Sequence, residues 1–559
     1  MGFNKIESYM EKLYLDRTNN NVFIDVPLKK LKFLIDGIQF MYVLSELFEN
    51  GEFSGNYDKF YDYLKKVLGV IKFSIEAVIF KTVTKDDANN EKRLENYSKN
   101  LQDDVQVRTN PGLFYKMILL EVLNELEIKI LIQLDHWSMI SYSSENTIDG
   151  NFFTIISKDS IFNTIDLKAG YLSLSYSKGI FKNLENITDN TMFSIFYLQN
   201  LLYYLNLQHD SWIYFCILNG YKEKFERNGN FIGKRSFENL LKSMKTYEGN
   251  NVRNNFWNIR KKYSQNELYI IDELIEKIKL QRHQRTNFIN ENLNEFDRII
   301  FRAVKKKMIV FPCLIEDFSQ PSVFKSNIIE GLYREIYSEI FLEGILIKEF
   351  YRFKEQINQN IYKVKKLDHK PYLEFFEKNF NTSNEMSLFL CCICFWKEEN
   401  KNEIFFQDCF NALIINFLII SLKYKKNYKD FTIFEQDNED ISNLITEYNN
   451  ILIADFNNVN FRKVVHIINK FQALYQTFGL FACAFKLNLK FLSPRNFLNG
   501  CFVTKYVLDT NVQNQINSFT KKFNTVLLHM KDKINNITEL IEEDDLDSQI
   551  RNLNLDNKV

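Results

Sequence analysis

Over its first 235 residues the chain alternates short apolar runs with longer stretches in which apolar residues recur three and four apart. Four of the runs have the length and composition of buried strands: Lys32 to Ile38 (KFLIDGI), Ser74 to Phe80 (SIEAVIF), Glu127 to Leu134 (EIKILIQL) and Asn151 to Ser157 (NFFTIIS). Between them, Asp58 to Leu68 and Leu113 to Glu125 carry helical spacing. Strands separated by helices join as parallel neighbours. The pattern therefore predicts an α/β domain with a mostly parallel sheet flanked by helices on both faces.

Beyond residue 236 the alternation stops. Glu267 to Leu280, Ile328 to Tyr351 and Phe461 to Leu480 are long and apolar at helical spacing, so the C-terminal half is expected to be mainly α-helical. Gln281 to Asn294 is hydrophilic and reads as a linker or a wet helix. Glu542, Glu543, Asp544, Asp545 and Asp547 form an acidic cluster of the kind usually found solvated. The expected division is 1–235, an α/β domain; 236–320, a helical region continuing it; 321–535, a helical domain; and 536–559, an acidic tail. At 559 residues the chain exceeds what one core supports, and 17 Gly with 6 Pro favour long helices over tight turns.

The 71 basic side chains balance 71 acidic ones. Sequence-blind binding to DNA usually rests on a basic excess, so strong binding of that kind is not expected, although a local basic groove is compatible. The opening MGFNKIESYMEK has no apolar run, and Ile6 breaks the myristoylation pattern. The longest apolar run, Ala412 to Leu422, is too short to span a bilayer. With eight scattered cysteines, these features point to a soluble intracellular protein of the cytoplasm or nucleus, with no membrane partner.

In an open parallel sheet, ligands sit beyond the carboxyl ends of the strands. Asp36 follows the first run, Asp135 and His136 the third, and Asp159 the fourth. Carboxylates suit a hard Mg²⁺ or Mn²⁺, and such an ion activates water for phosphodiester attack. Asp is also a common turn former at strand ends, so spacing alone leaves both roles open.

Six blocks, in order over residues 1 to about 242, resemble the flap endonuclease/XPG group, whose nuclease domain is of PIN type. MGFNKIESYMEK resembles that group's Met-Gly start, and LKFLIDGIQFMYVL its first catalytic strand. IEAVIFKT, followed by EKRLENYSK, occupies the place of the second strand and its Lys-Arg helix. ILIQLDHWSMISY stands at the Glu-x-Asp/Glu helix start, and FFTIISKDSIFNTI resembles the Ser-(Glu/Asp)-Asp-Ser-Asp strand. YFCILNGYKEKFERNGNFIGKRSFENLL resembles the final Leu-x-Gly and Gly-Ile-Gly-x-Lys region. The resemblance implies metal-binding carboxylates at Asp36, Asp135 and Asp159, as catalytic residues for a structure-specific nuclease. It also implies nucleic-acid contacts at Lys92 and Arg93, and at Gly229, Gly233, Lys234 and Arg235, where backbone amides of a helix–two-turn–helix hold a phosphate.

The departures are as informative. Positions that are acidic in the group fall on Lys81, Gln133, Ile161 and Lys222. Two-metal catalysis needs enough negative charge to hold two dications about 4 Å apart. Three carboxylates allow at most a single weak Mg²⁺ or Mn²⁺, and none is an equal alternative. Erosion of this kind resembles the asteroid-like proteins and the fungal Mkt-type regulators, the former carrying an Asp-His step as at Asp135-His136. That resemblance implies a catalytically inactive, RNA-associated or protein-binding post-transcriptional regulator, with protein partners docking on the helical half. The alternatives are a Mg²⁺-dependent nuclease acting on DNA or RNA, and a structural subunit of a larger complex. Cys391, Cys392, Cys394 and Cys409 have the wrong spacing for a zinc site and lie in an apolar run, SLFLCCICFW, as buried helical thiols do.

Overall fold

A computed structural model describes residues 4–48, 55–81, 113–133, 152–182, 186–209, 307–312, 319–353, 356–380, 384–425, 438–451, 460–487 and 491–543, with a few isolated positions between them. The chain forms two compact units: one of residues 1–47, 64–83 and 122–291, the other of 48–63, 84–121 and 292–559. The expected boundary near 235 lies outside the described residues.

The first unit is built on a seven-stranded sheet in the order β1-β7-β6-β5-β2-β3-β4. Its strands are β1 (Phe23–Pro27), β2 (Phe33–Asp36), β3 (Ile75–Lys81), β4 (Ile130–Gln133), β5 (Thr154–Ser157), β6 (Tyr171–Ser173) and β7 (Met192–Phe196). The block β4-β3-β2-β5-β6 is parallel throughout, and β7 joins it antiparallel, with β1 antiparallel to β7. All four expected strands are present. β2 ends at Asp36 because Gly37 opens helix α2 (Gly37–Leu47) at once.

Strand alternation divides the apolar side chains between two faces. Leu34, Ala77, Ile79, Leu131 and Ile155 line one core together with helix α1 (Asn4–Leu15), the segment after Asp159 and the fully buried Trp212, whose indole donates to the Asn163 carbonyl at 3.1 Å. Helix α2 packs against the sheet through Gly37. A Cβ there would lie 2.7 Å from Phe80 Cζ and 2.9 Å from Val78 Cγ1, so the first turn of α2 approaches β3 as closely as only glycine allows. Gly37→Ala is therefore expected to lower the stability of this unit by about 1–3 kcal/mol, the usual cost of overpacking, despite the better helix propensity of alanine. Thermal unfolding followed by near-ultraviolet circular dichroism reads the loss. An unchanged midpoint would show that Phe80 yields freely.

Helices α3 (Tyr57–Ile71) and α4 (Tyr115–Glu125) coincide with the two helical stretches expected before 125; their first parts are counted with the second unit, where Phe60 and Tyr115 stack with ring centroids 4.1 Å apart. Helices α5 (Leu174–Ser177) and α6 (Leu198–Leu205) belong to the first unit, and the long helices of the second follow from residue 327. These are α7 (Asn327–Ile340), α8 (Pro371–Asn379), α9 (Ser387–Asn400), α10 (Phe406–Lys423), α11 (Asn438–Asn450), α12 (Phe461–Ala484), α13 (Gly500–Leu508), α14 (Thr510–Thr520) and α15 (Asn524–Glu543).

The expected helix from Ile328 to Tyr351 is only half helix. It stops at Ile340, turns at Gly344 with φ +83°, and continues as strand β9 (Leu346–Phe353). β9 lies between β8 (Met308–Val310) and β10 (Gln356–Lys363). Ile347 and Glu349 point inward while Leu346 and Lys348 are exposed, a period of two that overrides the helical spacing. Helix α10 has the length and apolar composition of a membrane span, and 78% of that window is buried inside the protein. Of the acidic cluster, Glu542 and Glu543 end α15; the rest lies outside the described residues, as do Glu267 to Leu280 and Gln281 to Asn294.

Candidate functional site

The parallel block has one topological switch point. From β2 the chain moves outward through β3 and β4, then returns to place β5 on the other side of β2 and β6 beyond it. Loops leaving β2 and β5 diverge, and the crevice between their carboxyl ends is where such sheets bind ligands.

Asp36 and Asp159 flank that crevice. Asp36 is 1% exposed. Its Oδ2 accepts from the Ser157 hydroxyl across the switch point at 3.1 Å. Its Oδ1 accepts from the Gln39 amide at 3.3 Å, which makes it the N-cap of α2. Ser157 Oγ in turn accepts from the Asp159 amide at 3.1 Å, and Asp159 Oδ1 caps the next short helix by accepting from the Ile161 amide at 3.2 Å. Tyr171, buried on β6, donates to the carbonyls of Ser157 at 2.9 Å and Asp159 at 3.1 Å, which fixes the backbone at this corner. Burial pushes its phenol well above the usual range, so it stays a donor. The Ser173 hydroxyl caps α5 in the same manner at the end of β6. Three neighbouring strands thus hand over to helices through side-chain caps, and the two acids serve as two of them.

The surrounding charge is mixed. Glu46, on α2, pairs with Lys178 and, at 3.8 Å, with Lys158, the exposed residue between Ser157 and Asp159. On the other side of β2, Lys81 and Gln133 occupy paired register positions at the carboxyl ends of β3 and β4. By residue type these two strand ends are basic and neutral rather than acidic.

Asp135 lies outside the described residues, as do Lys92, Arg93, Gly229, Gly233, Lys234 and Arg235. Of the expected acidic trio, the structure brings together Asp36 and Asp159, joined through Ser157. Among the described residues no group of three or more His, Cys, Asp or Glu side chains is placed to hold a metal ion. Asp36 and Asp159 each cap a helix, and the two lysines nearby, Lys158 and Lys178, are paired with Glu46. Cys391, Cys392 and Cys394 are buried in α9, and burial pushes the Cys394 thiol up to about 12, which keeps it a thiol rather than a zinc-binding thiolate.

Sequence reasoning did not single out Ser157, Gly37 or Glu46. Ser157 closes the run that Asp159 follows, but a hydroxyl between two acids of different strands carries no spacing signal. Gly37 follows Asp36 directly, where a close helix–strand approach is the physical reason for a glycine.

The fold defines the class: an α/β domain built on a mostly parallel sheet with a topological switch point, joined to a largely helical unit. No family model matches the chain, and no curated protein matches it. Among solved structures it is similar to the catalytic core of Rad2 in complex with a DNA substrate, at 11% sequence identity and a TM-score of 0.28, covering 53% of this chain and 93% of that one.

Proposed function

We propose that this chain is an XPG/flap-endonuclease-like protein whose crevice has lost its nuclease chemistry, and that it acts as an RNA-associated, post-transcriptional regulator. The observation that carries the reading is the state of the acids. Asp36 and Asp159 are committed to capping helices and to Ser157, while the adjacent strand ends are Lys81 and Gln133. A site arranged in this way holds its backbone firmly but concentrates little negative charge. The order of the six sequence blocks supports the nuclease-like origin of the fold, and the helical unit offers surface for protein partners.

The competing reading is a Mg²⁺- or Mn²⁺-dependent nuclease. Its support is that Asp36 and Asp159 do meet at the switch point. The two readings differ in what metal does to binding. The regulator is expected to crosslink to labelled single-stranded RNA equally well in Mg²⁺ and in EDTA, because protein groups alone make the contacts. Crosslinking that disappears in EDTA would favour the nuclease, and an absence of crosslinked RNA under both conditions would remove the RNA reading.

A further inference from the structure

At the opposite end of the sheet, two short 3₁₀ turns lie side by side. Leu28–Lys30 precedes β2, and Lys72–Ser74 precedes β3. They are tied by two hydrogen bonds: Lys32 Nζ donates to the Phe73 carbonyl at 2.7 Å, and the Ser74 hydroxyl donates to the Leu28 carbonyl at 3.2 Å. Leu28 and Ser74 are buried and anchor the pair. What the turns present outward is unusual for a strand entry. Phe73 is 86% exposed, Lys29 and Lys30 are exposed, and Lys72 is half-buried beside the ring. Val70, at the end of α3, is 38% exposed.

A large aromatic side chain left almost fully in water forgoes the stabilisation that burial would give it. Lys29, Lys30 and Lys72 lie on the same two turns, and Lys32, just after the first, bonds the Phe73 carbonyl. Glu76 and Glu125 are already paired with Lys129 and Lys65. Among the described residues the exposed Asp189 also lies at the turns, its carbonyl accepting from the Lys29 amide at 3.0 Å. The local balance is thus basic in a chain of zero net charge.

We propose that these paired turns bind single-stranded nucleic acid, with Phe73 stacking on a base and Lys29, Lys30 and Lys72 contacting phosphates. This names a surface for the RNA-associated reading above and rests on it. Every base has a face for an aromatic ring, and the phosphates on either side need cations within one or two nucleotides. The two turns supply both, and their hydrogen bonds fix the spacing before binding. A duplex keeps its bases stacked inside and gives an exposed ring nothing to stack on. An anionic bilayer suits the lysines less well, because interfacial insertion uses an extended apolar face and here only Phe73 and Val70 supply one. The surface lies at the amino ends of β2 and β3, about 10 Å along the strand from Asp36, so it is separate from the switch-point crevice.

The test is fluorescence anisotropy of a fluorescein-labelled oligouridylate, roughly ten nucleotides long, with the full chain. Phe73→Ala is expected to weaken binding about 5- to 100-fold, the range of one lost base stack. Phe73→Tyr is expected to retain it. Lys29→Glu with Lys30→Glu should weaken binding and lower the salt dependence, log K against log salt, by about 1. All three changes are at the surface, and circular dichroism verifies that each variant folds. Tight binding by the unmodified chain that none of these variants weakens would overturn the surface while leaving the RNA reading in place. No binding by the unmodified chain would overturn both. Binding to phosphatidylserine vesicles that is lost in Phe73→Ala, with none to oligouridylate, would assign the patch to a membrane and overturn the proposal.

Discussion

Asp58→Ala is expected to cost the second unit about 3–5 kcal/mol, the loss typical of breaking a buried ion pair by removing one partner. Asp58 is fully buried near the start of α3, and its Oδ2 lies 3.0 Å from Lys423 Nζ at the end of α10. Its remaining acceptor positions are filled: Tyr448 donates to Oδ2 at 3.3 Å, and Asn499 Nδ2 donates to Oδ1 at 3.2 Å. Four segments far apart in sequence therefore meet on one carboxylate. Alanine takes the shared acceptor from three donors at once: Lys423 keeps the half-exposed Asp62 at 3.2 Å, Tyr448 keeps Asn416 Oδ1 at 3.4 Å, and Asn499 keeps the Tyr448 hydroxyl at 3.0 Å. Denaturant unfolding of Asp58→Ala, Lys423→Met and the double variant measures the coupling. The double variant should be less destabilised than the two single losses added together, since neither charge is then left alone. Strict additivity would mean the pair is not coupled.

The second large effect is a pH dependence from Glu335. This carboxyl, on α7, accepts from the Tyr372 amide at 2.9 Å and the Leu373 amide at 3.2 Å, so it caps α8, which starts at Pro371 with no side-chain cap of its own. Burial pushes its pKa up to about 8. The two amides and Lys370 pull the other way by favouring the charged form, but full burial outweighs them. A carboxyl whose folded value is raised binds its proton more readily in the folded state. Its contribution is fully present below the unfolded value near 4.5 and is lost as the pH rises to about 8. The full effect is roughly 3–5 kcal/mol. Glu335→Gln removes the titration, so the difference in unfolding free energy between the two proteins should change by that amount from pH 4.5 to pH 8. Parallel profiles would mean that Glu335 is already ionised at the lower pH.

Much of the first unit was legible because parallel strands buried on both faces are nearly continuous apolar runs, and β2, β3, β4 and β5 are such runs. β1, β6 and β7 were not legible. β6 has only three residues, and β1, at the sheet edge, places the exposed Ile24 and Asp25 beside Phe23 and ends in Pro27. β9 was hidden by Glu349 and Arg352, which are charged yet buried; Glu349 is held by Tyr337 at 2.7 Å and by Lys325 at 3.3 Å. The same reason limits the site. Strand-end acids are visible in sequence, so Asp36 and Asp159 were found. Their connection through Ser157 spans 121 residues and depends on the order β5-β2, which no local pattern encodes. The capping role of both acids follows from helices that begin immediately after them, and it is the feature that most changes their chemical meaning.

The proposed loss of nuclease chemistry between the carboxyl ends of β2 and β5 predicts that the chain leaves nucleic acid uncut. The direct measurement is incubation of the purified full chain with labelled flap and single-stranded substrates in Mg²⁺ and in Mn²⁺, followed by separation of products by length. The prediction is intact substrate under both ions, with Asp159→Ala indistinguishable from the unmodified chain. Metal-dependent cleavage that Asp159→Ala abolishes would contradict it.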